Sequence, residues 1–331
     1  MNRIETMTSA ALQAMIHVLE LDPSDRVLVV TDEETLSCGE AFARAAERHG
    51  CPVETYVLPQ AERPLKAIPA DLLSRLPGST VVINAITGDD REIPFRIDWI
   101  RVIETDGAIR MGHSPGINED MMVGGPLDVD YAAMISRADH LIAAFAGVES
   151  LHITAPGGTD LVLDLRGRRF VTDVKATVEA GSNLPCGEVY CCPVENGAEG
   201  VLVVDGCFGS YGNVPTPVTI KIESGRVISV TSDHDGVVAV INQLLDTDQD
   251  SRTIAELGIG LNPGARLTPR MLEAEKVGGT AHIAFGSNEG MPGGRSVSRV
   301  HVDYLFLKPT IEAVLDDGSR KIVLRDGNIG S

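Results

Sequence analysis

The sequence predicts an α/β N-terminal domain with a parallel sheet over residues 1–150, then an α+β C-terminal domain, mainly β, with a largely antiparallel sheet over residues 151–331. Three observations carry this reading. Strand and helix signals alternate at the start of the chain, as parallel strands joined by helical crossovers require. After Leu151 the texture changes to short alternating strands separated by Gly, Asp and Asn, the pattern of an antiparallel sheet that curves or closes into a partial barrel. A helical stretch at about 128–148 lies between the two textures and reads as the bridge.

In chain order, residues 26–30 (RVLVV) form an unbroken apolar run, as a strand buried on both faces does. Residues 38–49 have the spacing of an amphipathic helix that stops at Gly50. Residues 53–58 read as a strand, 70–76 as a helix and 80–85 (TVVINA) as another strand; no G-x-G-x-x-G follows the first strand, so a dinucleotide site is not expected. Residues 111–126 (MGHSPGINEDMMVGGP) are rich in turn formers and read as a loop in which His113 and Asp120 could form a lid or, as the simpler expectation, a turn and helix cap. In the second half, LHITAP, GTDLVLDLRGR, EGVLVVDG, HVDYLF and EAVLDDGSRKIVLRDG read as strands, with Asp160 and Arg166 expected to form a structural ion pair. IKIESGRVISV, with Ser-Gly at its centre, is the clearest hairpin, and residues 236–245 form a helical interruption.

Composition narrows the function classes. The chain has 331 residues, 28 basic against 47 acidic, for a net charge of −19. No Lys/Arg cluster offsets that field, so a phosphate backbone would be repelled and nucleic acid is not an expected partner. No apolar run reaches the roughly 18 residues needed to cross a bilayer, and the N-terminus alternates apolar with acidic residues, unlike a signal peptide. A cytoplasmic protein without membrane association is expected. The six cysteines (38, 51, 186, 191, 192 and 207) are expected to be reduced and inert, since their spacing makes no zinc knuckle.

Five residues of the second half can carry metal chemistry. His301 and Asp303 sit two apart in an alternating strand, so imidazole and carboxylate share a face. His282 lies in GGTAHIAFG, a short apolar strand flanked by glycines that permit close backbone approach. Glu188 in NLPCGEVY and Glu256 in AELGIGLNP are embedded among apolar, Gly and Pro residues, where an uncompensated carboxylate costs several kcal/mol and a cation is an economical partner. Taken singly, each has a simpler explanation as a core, capping or loop hydrogen bond. Together they form the mixed N/O set favoured by zinc, cobalt, manganese or iron(II).

These segments resemble the aminopeptidase T family of metallo-aminopeptidases, in order along the chain: SPGINEDMM (114–122), ITAPGGTDL (153–161), NLPCGEVY (183–190), GVLVVDG (200–206), AELGIGLNP (255–263), GGTAHIAFG (278–286) and HVD (301–303). The resemblance implies a homodimer with an α/β N-terminal domain and a C-terminal two-metal centre, its ligands carried over to Glu188, Glu256, His282, His301 and Asp303. It implies a hydrolase that uses two divalent cations to activate water against short peptides, with Glu188 and Glu256 bridging the metals or one of them serving as general base. This chain departs from the family where a tyrosine is expected seven residues beyond His282, since Glu289 stands there. His282, His301 and Asp303 alone also make the two-histidine, one-carboxylate set of iron(II) oxygenases, and the sequence group resembles dioxygenases that open dihydroxypyridine rings. A mononuclear iron enzyme is therefore the alternative expectation.

Overall fold

A computed structural model describes residues 2–330. Two compact units divide the chain. One comprises Met1–Ile135 with Asp173–Cys186, the other Ser136–Thr172 with Gly187–Ser331. The division falls at 135/136, inside the helix Tyr131–Ala144, and residues 173–186 belong to the first unit. Loop 173–186 contributes a two-residue strand to that unit's sheet, a long-range pairing that local sequence does not disclose.

The first unit contains a five-stranded sheet ordered Val53–Val57, Val27–Thr31, Val81–Ile86, Arg110–Pro115 and Ser182–Asn183, with every pairing parallel. Val27–Thr31 and Val81–Ile86 are buried along their whole length, as central strands covered on both faces must be. The helix Leu36–His49 ends where Gly50 takes a left-handed conformation at φ 98°, and Arg48 and His49 occupy its last turn, where the helix dipole favours cations. Asp32 ties together the C-terminal ends of the two central strands: its carboxylate accepts from Thr87 N at 2.6 Å and Thr87 Oγ1 at 2.9 Å, and pairs with Arg63 at 2.5 Å. Arg63 also pairs with the fully buried Glu92.

Two expectations for this unit require correction. Residues 111–126 are not one loop: Arg110–Pro115 is a strand and Glu119–Met122 a short helix. Gly, Ser and Pro conceal the strand in the sequence, but the sheet recruits it by register with Val81–Ile86. His113 accordingly lies inside a strand rather than on a lid, and Asp120 pairs with Arg3. The helix Ile93–Asp106, whose Trp99 is fully buried, was not anticipated.

The second unit contains two sheets rather than one curved sheet or partial barrel. The eight-stranded sheet includes Val148–Thr154, Asp160–Asp164, Ala198–Val204, Val218–Glu223, Arg226–Thr231, Thr310–Leu315 and Arg320–Arg325, as the alternating segments predict. Its hairpin turns at Ser224 and Gly225, both at positive φ (48° and 73°), the conformation of a tight two-residue turn. Asp160 and Arg166 do not pair with each other. Asp160 binds His152 and Arg166 binds Asp164, because Asp160 opens the strand Asp160–Asp164 and Arg166 lies beyond its far end, six residues on and too far along an extended chain to meet it. The seven-stranded sheet is antiparallel and has at its centre His301–Leu307, Thr280–Gly286, Ile254–Gly260 and Glu188–Cys191. All six cysteines are buried free thiols.

Candidate metal centre

Register alone brings the five candidate residues to one face of the seven-stranded sheet. Side chains directly opposite in neighbouring strands share a face. Glu188 pairs with Gly260, Gly258 with His282, Glu256 with Ala284, Ala284 with Asp303, and Gly286 with His301. Each functional side chain thus stands beside a glycine or alanine, which leaves room above the sheet for the ligand atoms to converge. A one-residue irregularity between Ile254 and Glu256 sets the Glu256 register, the kind of bulge that re-aims a side chain.

The two glycines of the Glu-Leu-Gly-Ile-Gly segment have separate steric reasons. A Cβ on Gly258 would lie 2.1 Å from Cε1 and Nε2 of His282, so the imidazole lies across the bare backbone of the neighbouring strand. A Cβ on Gly260 would lie 2.1 Å from the carbonyl oxygen of Val277, so a second segment crosses there. That segment delivers Lys276, whose carbonyl accepts from Asn262 N at 2.8 Å.

His282 Nε2 faces three carboxylates: Glu256 Oε1 at 3.5 Å, Glu188 Oε2 at 3.6 Å and Asp303 Oδ1 at 3.8 Å. His301 Nε2 lies 3.2 Å from Glu256 Oε2 and 3.4 Å from Asp303 Oδ1. His301 Nδ1 donates to the Ser287 carbonyl at 2.7 Å, which fixes the ring's orientation and directs Nε2 toward the carboxylates. His282 Nδ1 is buried with no hydrogen-bond partner, an unmet cost of about 1–3 kcal/mol. His282, Glu188, Glu256 and Asp303 are all buried, whereas 32% of the His301 side chain reaches solvent and forms the open side.

Electrostatics follow from this crowding. Burial works to raise the Glu256 carboxyl, but His282 and His301 outweigh it and hold it below its ordinary value. Asp303 is lowered in the same way, against burial, chiefly by His301. Burial opposes a charged His282, yet Glu256, Asp303 and Glu188 raise its pKa to about 9; His301 is raised by Asp303 and Glu256 against the same opposition. Without a cation, the carboxylates draw protons onto the imidazoles to offset their own charge.

The residues present fit divalent ions. Among the described residues, two groups have ligand atoms mutually within 4.8 Å: Glu188, Glu256 and His282, and Glu256, His301 and Asp303. Ligand atoms about 2.1 Å from one cation at tetrahedral angles stand about 3.4 Å apart, and the imidazole-to-carboxylate separations of 3.2–3.8 Å match that spacing. Glu256 belongs to both groups, one oxygen toward each histidine. Donor type and spacing together suit zinc, cobalt, manganese or iron(II).

Sequence reasoning missed two contributors. Lys276 is fully buried, and its Nζ donates to Glu188 Oε1 at 2.5 Å and lies 2.8 Å from Glu275 Oε1. In EAEKVGG, alternating charges before a Gly-Gly pair look like a solvated helix end, so nothing local marks this lysine as interior. Gly258 carried a visible signal, a glycine inside a strand two residues from a buried acid. Glu289, where the family has tyrosine, is exposed in the turn beyond Thr280–Gly286.

Known proteins similar to this chain in sequence or fold include aminopeptidases. Aminopeptidase AmpS of Bacillus subtilis is 24% identical over 237 residues, covering 64% of this chain and 56% of that protein. Aminopeptidase T of Thermus thermophilus is 27% identical over 216 residues, covering 58% and 52%. The chain thus spans about half the length of the curated relatives it matches. Among solved structures, the 2,5-dihydroxypyridine dioxygenase of Pseudomonas putida KT2440 superposes with a TM-score of 0.74 at 19% identity over 98% of each chain. AmpT from Thermus thermophilus superposes with a TM-score of 0.70 at 19% identity over 99% of each. Both share the α/β N-terminal and antiparallel C-terminal fold. The family described as thermophilic metalloprotease (M29) matches residues 134–329, which include all five candidate ligands, and the chain belongs to that family.

Proposed function

We propose that this chain is a metal-dependent aminopeptidase that removes N-terminal residues from short peptides with two divalent cations, zinc, cobalt or manganese. The observation that carries the reading is the sharing of Glu256 between the Glu188/His282 and His301/Asp303 groups. Glu188, Glu256 and His282 would hold one cation; Glu256, His301 and Asp303 would hold the other. When bound, such a pair lowers the pKa of an attacking water and polarises the scissile carbonyl. Glu188 and Glu256, whose Oε2 and Oε1 are turned toward His282, would serve as ligands to these cations or, for one of them, as the base that takes the single proton given up by that water. The Ser287 carbonyl keeps His301 Nε2 turned inward throughout. The chain's net charge of −19 would favour the approach of a peptide carrying a cationic α-amine.

The proposal extends to a cytoplasmic homodimer without nucleic-acid or membrane partners. The charge of −19 supports the absence of nucleic acid, and family resemblance supports the dimer. Among the described residues, no helix is long and apolar enough to cross a membrane.

The test is to quantify metal in protein purified without chelator and to follow amino-acid release from short peptides by wild type and Glu256→Gln. Two equivalents of metal are expected, with at least a 100-fold loss of hydrolysis in the variant. Unchanged hydrolysis by Glu256→Gln would defeat the two-metal reading. One equivalent of iron with substrate-dependent oxygen uptake would replace it by a mononuclear ring-cleaving dioxygenase, which does not need Glu256 as a bridge.

A further inference from the structure

We infer that Lys276 is a positioning residue of the centre: its ammonium holds Glu188 as a one-oxygen ligand and makes the two cation positions unequal, the Glu188-side ion binding more weakly and exchanging first. The inference rests on the two-cation reading above. Its starting point is a fully buried ammonium placed directly against a candidate ligand, with Nζ at 2.5 Å from Glu188 Oε1 and 2.8 Å from Glu275 Oε1.

The lysine is built into position. Gly260, directly opposite Glu188 in the sheet, has no Cβ and so admits the Val277 carbonyl above it. Asn262 grips the same segment twice, donating to the Lys276 carbonyl at 2.8 Å and accepting from Gly278 N at 3.0 Å. Lys276 therefore reaches Glu188 from a fixed backbone. With Oε1 hydrogen-bonded to Lys276, Glu188 presents Oε2 to the centre, on the side of His282 Nε2 at 3.6 Å.

Charge separates the two positions. An ammonium in hydrogen-bond contact with a ligand cancels part of the field that holds a cation there, an effect that falls with distance. On the Glu188 side the contact is direct. Toward Asp303 the lysine acts only as a smaller through-space influence behind His301 and His282. Glu275, the lysine's second carboxylate, shares its charge and limits how strongly it competes at Glu188. Two changes to this triad should therefore act in opposite directions. Lys276→Met uncovers both carboxylates and tightens the Glu188-side ion; the near-isosteric Glu275→Gln leaves Lys276 with Glu188 and loosens it.

The experiment is a cobalt(II) titration of the metal-free full chain, read by calorimetry for affinity and by visible absorption for coordination geometry. In wild type, two Co²⁺ are expected to bind with affinities at least about tenfold apart. Lys276→Met should narrow that gap at least tenfold and alter the spectrum of the weaker ion, as Glu188 Oε1 loses its ammonium contact; Glu275→Gln should widen the gap. If Lys276→Met does not fold, the direction of the Glu275→Gln shift decides alone. Two ions in wild type with the gap unmoved in the folded variants would overturn the role of Lys276 while leaving the two-cation reading intact. One ion in wild type but two in Lys276→Met would overturn that reading for the native chain and sustain the lysine as the group that weakens the Glu188 side. One ion throughout, with unchanged affinity, would overturn both.

Discussion

Replacing Gly258 by alanine tests whether the imidazole of His282 depends on a bare stretch of neighbouring backbone. The new Cβ would stand 2.1 Å from Cε1 and Nε2, whereas ordinary contact begins near 3.4 Å, so the ring must retreat by about 1.3 Å. Nε2 now stands 3.5 Å from Glu256 Oε1 and 3.6 Å from Glu188 Oε2, separations that suit a shared cation. A shift of that size carries it out of the ligand geometry, where bond lengths vary by only about 0.2 Å. Overpacking in a filled interior costs about 1–3 kcal/mol. At roughly 2–4 °C per kcal/mol for domains of 150–250 residues, that lowers the melting temperature by up to about 12 °C without unfolding the sheet. The functional cost is larger, because misplacement by about 1 Å can cost on the order of 100-fold in rate. The assay combines metal content, circular dichroism and release of N-terminal residues. Gly258→Ala should fold, bind metal at least about tenfold more weakly and lose at least about 100-fold in hydrolysis. Wild-type metal content and hydrolysis within twofold would refute the steric argument.

Two further predictions concern the first unit. Arg63→Met leaves Asp32 and Glu92, both fully buried, without their shared cation, and should destabilise the protein by about 3–5 kcal/mol in chemical denaturation; a loss below about 1 kcal/mol would show that the network contributes little. His113 is held neutral, its pKa lowered to about 3 by burial and then by Arg96, while Asn84 Nδ2 faces its Nδ1 at 3.4 Å and the Asn84 carbonyl oxygen accepts from Trp99 at 2.8 Å. The unfolded chain takes up this proton near pH 6.5 and the folded one only near pH 3, so stability falls as pH drops through that window. The loss should reach about 1–2 kcal/mol by pH 5, discounted for the ring's partial exposure, and His113→Gln should flatten the slope; an equal slope in the variant would assign it to other groups.

Much of the architecture was legible because it rests on local periodicity. The buried runs Val27–Thr31 and Val81–Ile86, the helix ending at Gly50 and the Ser224–Gly225 hairpin all follow from residue pattern and turn chemistry. What escaped was set by distant partners. Arg110–Pro115 looks like a loop because its Gly, Ser and Pro carry no strand signal, and only the neighbouring parallel strand makes it one. The two-residue strand Ser182–Asn183 and the burial of Trp99 in Ile93–Asp106 belong to the same class.

By itself, the sequence supplied the residue types of the candidate centre: two imidazoles and three carboxylates of ligand type, His301 and Asp303 placed on one face by the two-residue strand period, and glycines inside strands that announce close approach. It could not determine convergence. That depends on interstrand register, which sets Glu188 against Gly260, Gly258 against His282 and Ala284 against Asp303 across segments far apart in the chain. Nor could it show that Lys276 lies inside, because a charged residue beside two glutamates and two glycines is locally a surface pattern, and only the segment crossing over Gly260 buries it. Residue type is written one position at a time, whereas distance and desolvation belong to pairs of residues that the folded sheet brings together.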